Sequence, residues 1–128
     1  MESVVTFLLT SKPDGAIAFF RDTLGFSFLR DDGFALVFDM KGVPLRISKM
    51  PSFTPAQHTV LGWESSRIES DVDELVQKGV AFERYPNMGQ DQRGIATFPG
   101  GDKVAWFKDP DGNVLSLSQH VAAKNPVR

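Results

Sequence analysis

Two stretches of this chain repeat one another at a fixed offset, and no other feature narrows the possible folds as much. The first runs Ala35-Leu36-Val37-Phe38-Asp39-Met40-Lys41-Gly42-Val43-Pro44-Leu45-Arg46-Ile47. The second runs Ala105-Trp106-Phe107-Lys108-Asp109-Pro110-Asp111-Gly112-Asn113-Val114-Leu115-Ser116-Leu117. Laying Gly42 on Gly112 brings Asp39 onto Asp109, Leu45 onto Leu115 and Ile47 onto Leu117, and it pairs Trp106 with Leu36. One offset that matches several positions is what an internal duplication leaves behind, so the chain is expected to use one supersecondary unit twice.

Each copy reads alike. Residues 4–9 are an apolar run of strand length, and Ser11-Lys12-Pro13-Asp14 follows as a helix start. Ser11 is placed to cap, Pro13 suits a first turn, and Asp14 follows the serine by three. Ile17, Phe20 and Leu24 recur at helical spacing, and Gly25 closes the helix. Residues 26–30, 34–38 and 44–48 read as strands between Asp31-Asp32-Gly33 and Lys41-Gly42 turns. After the proline-bearing connector Met50-Pro51-Ser52-Phe53-Thr54-Pro55 the pattern restarts with a strand at 60–65. Ser66-Arg67-Ile68-Glu69 has the form of a capping box; Ile68, Val72, Leu75 and Val76 make an apolar stripe, and Gly79 ends the helix. Strands at 80–84, 103–107 and 114–118 complete the second copy. The segment 85–101 is long enough for a functional loop. A frayed tail is expected from residue 122.

Composition bounds the function. At 128 residues the chain makes one domain of ordinary size, here read as a single domain over 1–128 with modules at about 4–49 and 58–120. It has no cysteine, which removes thiolate nucleophiles and thiolate metal sites and fits a cytoplasmic protein. No stretch approaches a membrane span, and a net charge of -2 with interspersed signs offers no stripe for nucleic acid. Neither membrane nor nucleic acid is therefore an expected partner.

Two motifs carry a family likeness: Ala18-Phe19-Phe20-Arg21-Asp22-Thr23-Leu24-Gly25-Phe26 and Phe107-Lys108-Asp109-Pro110-Asp111-Gly112-Asn113. With them the chain resembles the vicinal oxygen chelate superfamily, which includes glyoxalase I, bleomycin-resistance and fosfomycin-resistance proteins and extradiol dioxygenases. The resemblance implies an α+β fold of two tandem βαβββ modules, a cup-shaped mixed sheet with helices on its convex face, and a ligand inside the cup. It implies metal ligands on the first and last strands of each module. Counting from the motifs puts those positions at Val5, Arg46, Val60 and Ser116. Two valines, an arginine and a lone serine cannot hold a divalent ion, so no metal, no cofactor and no catalytic residue is expected.

Strand alternation places Phe7 and Leu9 with Val5, Gly62 and Glu64 with Val60, Pro44 and Ser48 with Arg46, and Val114 and Ser118 with Ser116. The expected ligand-binding residues are Phe7, Arg46, Ser48, Val60, Gly62, Trp106 and Ser116. Together they suit a small, largely apolar molecule with an anionic or carbonyl group near Arg46. The resemblance also implies a homodimer. Two readings stay open beside this one: a metal-dependent glyoxalase-like lyase or dioxygenase with unusual ligands, among which His58 and His120 would be first, and an interaction protein with a vestigial pocket.

Overall fold

The computed structural model describes residues 1–121; the expected frayed tail lies outside the described residues. The element order is β1 (Thr6–Thr10), α1 (Pro13–Ile17) passing into a π-helical segment (Ala18–Thr23), β2 (Ser27–Asp31), β3 (Ala35–Met40), β4 (Val43–Lys49), β5 (Thr59–Glu64), α2 (Ile68–Gln77), β6 (Ala96–Thr97), β7 (Lys103–Lys108) and β8 (Val114–Gln119). Two four-stranded sheets form, with strand orders β1-β4-β3-β2 and β5-β8-β7-β6. In the first, β1 runs parallel to β4, while β3 is antiparallel to both β4 and β2. The α+β class and the repeated βαβββ module are those the sequence implies. The described residues condense into two compact units, residues 1–60 with 109–113, and residues 61–108 with 114–121.

The first unit is built on one buried sheet face. Phe20, Leu36, Phe38, Leu45 and Ile47 are fully buried, and Leu8 nearly so. Phe38 lies between Phe20 and Phe28, with ring centroids 5.8 and 5.2 Å apart. Each such side chain withdrawn from water contributes on the order of 1.5–3 kcal/mol. Because side chains alternate along a strand, burying Leu45 and Ile47 leaves Pro44, Arg46 and Ser48 on the opposite, open face.

Ser11 is not the helix cap that the sequence suggests. Lys12 holds the cap position and has no side-chain capping bond. Its backbone N–H donates instead to Thr10 Oγ1 at 2.9 Å. Ser11 turns outward to Asp111, donating from its backbone N at 2.8 Å and its hydroxyl at 3.0 Å, while the buried Thr10 hydroxyl donates to the other Asp111 oxygen. Asn113 Nδ2 donates to Leu9 O at 3.0 Å. The Asp-Pro-Asp-Gly-Asn turn thereby belongs to the first unit.

The repeat also contains a one-residue difference that the alignment hides. In the first copy Met40 pairs with Val43 around a two-residue turn, with Lys41 and Gly42 at φ 53° and 96°. Both central residues are left-handed, as the tightest hairpins require. In the second copy Asp109 N bonds Asn113 O at 3.1 Å around three residues, and Gly112 takes φ 91°. As a result Val37 faces Arg46 where Trp106 faces Ser116. Val37, not Leu36, is the counterpart of Trp106.

Other expectations for the second copy also change. The strand foreseen at 80–84 shrinks to a bridge between Phe82 and Phe107, and the paired edge strand is Ala96–Thr97, inside the stretch read as loop. An excursion thus interrupts this edge. Ser66 does not cap α2. Ser65 Oγ accepts from Arg67 N at 3.0 Å and donates to Asp71 at 2.6 Å, and Gln119 Oε1 accepts from Ile68 N at 2.7 Å. Ile68 and Val72 are buried, but Val76 is 52% exposed, so the stripe is narrower than its spacing suggests.

Asp111 accepts three bonds from Thr10 and Ser11, one of them from a fully buried hydroxyl. Asp111→Ala is expected to destabilise the protein by about 2–3 kcal/mol by orphaning that hydroxyl. Urea denaturation measures this; a change within ~0.5 kcal/mol would show that water replaces the carboxylate.

Candidate functional site

On the open face of the first sheet the register sets residues side by side across four strands. Arg30 of β2 lies opposite Val37, Val37 opposite Arg46, and Arg46 beside Phe7 of β1. The next row holds Ala35, Ser48 and Leu9. Phe7 is 63% exposed, and Val5 and Leu9 are also exposed. Phe7, Arg46 and Ser48 thus share this face, and the residue directly beside Arg46 is Phe7 rather than Val5.

Arg30 is the residue that the sequence reading passed over. Plain alternation from Phe28 puts Arg30 on the buried face. A bulge between Phe28 and Arg30 leaves Leu29 unpaired and turns Arg30 to the open face. The neighbouring Asp31-Asp32-Gly33 turn, which twists this edge, is the only hint in the sequence.

Arg46 is held rather than free. Its Nη2 donates to Asp32 Oδ2 at 2.8 Å, with the two side chains 33% and 27% exposed. The other oxygen of Asp32 accepts from Ala35 N at 2.9 Å and Phe34 N at 3.0 Å. These backbone bonds first, and the Arg46 guanidinium next, hold the Asp32 carboxyl far below the usual carboxylate range. Nearby, Lys49 Nζ pairs with Asp31 at 2.8 Å.

In the second sheet, Trp106 lies opposite Ser116. A Cβ on Gly62 would stand 2.5 Å from Ser116 Oγ and 3.2 Å from its carbonyl oxygen, so only glycine fits beside Ser116. Gly62, rather than Val60, is therefore the β5 neighbour of Ser116, while Val60 is exposed two residues upstream. Tyr85 meets Trp106 edge-on at 5.5 Å. The loop that carries Tyr85 is pinned: Gln90 accepts from Tyr85 N and donates to Glu83 O and Gly94 O, all at 2.7–2.8 Å.

Glu64 and His120 form the other polar cluster on this sheet. Glu64 Oε1 lies 2.6 Å from His120 Nδ1, Glu64 Oε2 accepts from His120 N at 2.8 Å, and Ser118 Oγ donates at 3.3 Å. Burial raises the Glu64 pKa, but these bonds outweigh it and leave the carboxyl below its ordinary value. Ser65 N bonds Ser118 O at 2.7 Å, so the ends of β5 and β8 coincide. His58 precedes the start of β5, roughly 20 Å along the strand from Glu64, and cannot join this cluster.

The donor set does not fit a divalent ion. Val5 and Phe7 beside Arg46 offer no lone pair, and the arginine repels a cation. Ser116, with Gly62 beside it and Val60 two residues upstream, leaves one hydroxyl. Among the described residues no three histidine, cysteine, aspartate or glutamate side chains come together. A polar groove of about 360 Å³ at the start of α2 lies elsewhere, and its Arg93 is paired with Asp73 at 2.9 Å. No helix is long and apolar enough to cross a membrane among the described residues.

A family model described as Glyoxalase/Bleomycin resistance protein/Dioxygenase superfamily matches residues 3–117. No curated protein matches the sequence. Among solved structures, a glyoxalase/bleomycin resistance protein/dioxygenase superfamily member from Sphaerobacter thermophilus DSM 20745 is 20% identical, with TM-score 0.73 over 94% of this chain and 98% of that one. Lactoylglutathione lyase from Agrobacterium tumefaciens is 16% identical, with TM-score 0.70 over 93% and 94%. TnmS3, an antibiotic binding protein from Streptomyces sp. CB03234, is 25% identical, with TM-score 0.66 over 94% and 98%.

The Asp32 carboxyl is depressed in the folded state, so it adds stability above its unfolded value of about 3.9 and loses it as pH falls through the folded value. Asp32→Asn is therefore expected to be less stable than the parent at pH 7, with the gap closing steadily below about pH 4. Urea midpoints across the acid range test this, and a gap that is constant with pH would refute it.

Proposed function

We propose that this chain, which belongs to the Glyoxalase/Bleomycin resistance protein/Dioxygenase superfamily over residues 3–117, binds a small, largely apolar molecule without a metal ion. The observation that carries this is the open face of the first sheet. There Val5, Phe7 and Leu9 stand exposed beside an arginine whose orientation Asp32 fixes. Covering apolar surface is favourable by about 25 cal/mol per Å², and a pre-oriented guanidinium loses little entropy when it bonds a ligand oxygen. Ser48 adds a hydroxyl in the adjoining row. The second sheet, taken by itself, offers Val60, Gly62, Trp106 and Ser116 as candidate contacts: an aromatic surface, a hydroxyl, and a glycine that lets Ser116 pack close.

The antibiotic-binding name of TnmS3 supports a sequestering or resistance-like role. The lyase name of the Agrobacterium protein supports the catalytic alternative, which needs a metal that this donor set does not fit. We also infer a homodimer, because β1 and β2 are edge strands and β1 carries exposed Phe7. Light scattering at micromolar concentration is expected to give twice the chain mass, and a monomer would remove this part of the proposal.

Elemental analysis of untagged protein, after dialysis against zinc, nickel, manganese and iron(II), is expected to find far less than one ion per chain. A stoichiometric ion would overturn the metal-free reading and favour the lyase or dioxygenase. In thermal-shift and calorimetric screens of aromatic acids and ketones, Arg46→Ala is expected to weaken binding at least about tenfold, or ~1.4 kcal/mol. An unchanged affinity would place Arg46 outside the site.

A further inference from the structure

We infer that the first sheet selects a ligand bearing one planar oxyanion, a carboxylate, on an apolar body, and that Arg30 supplies the charge that attracts it. This rests on the small-molecule reading above and adds the ligand's chemical class. The relevant row is Arg30, Val37, Arg46 and Phe7, one residue from each of the four strands. With strands about 4.8 Å apart, the two arginine backbones stand roughly 10 Å from one another, with Val37 between them.

Val37 is 4% exposed although it belongs to the open face. Its neighbours in the row are the two arginines, and long basic side chains cover such a residue with their apolar stems while their charged ends stay in water. On this reading the Arg30 guanidinium reaches from the same face toward that of Arg46, which Asp32 holds at 2.8 Å, so that one ligand group meets both.

The two arginines differ in charge balance. Arg46 meets the Asp32 carboxylate at 2.8 Å, so a ligand encounters a nearly neutral pair that still has N–H groups to donate. Lys49 is balanced in the same way by Asp31. Arg30 is exposed, and its side chain makes no hydrogen bond or ion pair among the described residues. The row and its acidic turn therefore carry one uncompensated positive charge. One negative charge matches it, and a planar carboxylate suits the forked donors of two guanidinium groups. A neutral carbonyl could accept from either arginine but would gain less from Arg30, because it carries no charge to match. The apolar body has a defined direction as well, since Phe7 lies two strands from Val37, roughly 10 Å across the sheet.

Isothermal titration of the full chain with biphenyl-4-carboxylate and biphenyl-4-carboxamide tests the inference, since the two probes share a shape and differ in charge. The carboxylate is expected to bind at least about tenfold tighter than the amide, with affinity falling as salt rises. Arg30→Gln should remove most of that preference and its salt dependence, lowering carboxylate affinity far more than amide affinity. Arg30→Lys should keep the preference, which separates charge from cover over Val37. Arg30→Gln that leaves carboxylate affinity unchanged, or lowers both probes equally, would overturn the inference. Equal binding of the two probes to the parent would overturn charge selection but leave small-molecule binding standing. Failure of both to bind at millimolar concentration would overturn both.

Discussion

Once Leu36, Phe38, Leu45 and Ile47 are buried on one face of the first sheet, the twofold period of a strand leaves Arg46, Ser48 and Phe7 only the other. That constraint organises the first unit. The buried face contains little except hydrocarbon and aromatic rings, and a one-residue slip would bury a guanidinium and expose the core. The open face can therefore keep exposed phenylalanine and valine side chains, costly as they are in water, because the register that places them is fixed from below.

The hairpin between β7 and β8 shows how a prominent motif can serve the fold. Asp109 is buried and burial pushes its carboxyl pKa up, an effect partly offset by bonds from Asn113 and Asp111. Asp111 reaches out to the β1–α1 junction and engages Ser11 and Thr10, while the helix keeps no side-chain cap. Asn113 ties to the backbone of β1. The three polar residues of this turn thus spend much of their hydrogen-bonding capacity on the first unit's framework.

Charge on the candidate site is decided by pairing. An arginine on an apolar sheet suggests an anion receptor, but at Arg46 the Asp32 carboxylate has already satisfied the charge and fixed the direction of the fork. What remains is a set of oriented donors. The second sheet treats Glu64 similarly, engaging it with His120 and Ser118 instead of leaving it as a free base. Solvent screening keeps each of these partly exposed pairs modest in energy, so their value lies in geometry more than in stability.

The duplication, the α+β class, the helix-closing turn at Gly25 and the apolar alternation of β1 and β4 were legible because each follows from local pattern: residue spacing, turn chemistry and period. Four other features were decided by tertiary structure. The bulge beside Leu29 turned Arg30 to the open face, the three-residue hairpin gave Trp106 the counterpart Val37, Asp111 engaged Ser11 at the start of α1, and Asp32 balanced Arg46. Each depends on which residues a turn or strand sets opposite one another, a pairing that sequence spacing alone does not encode.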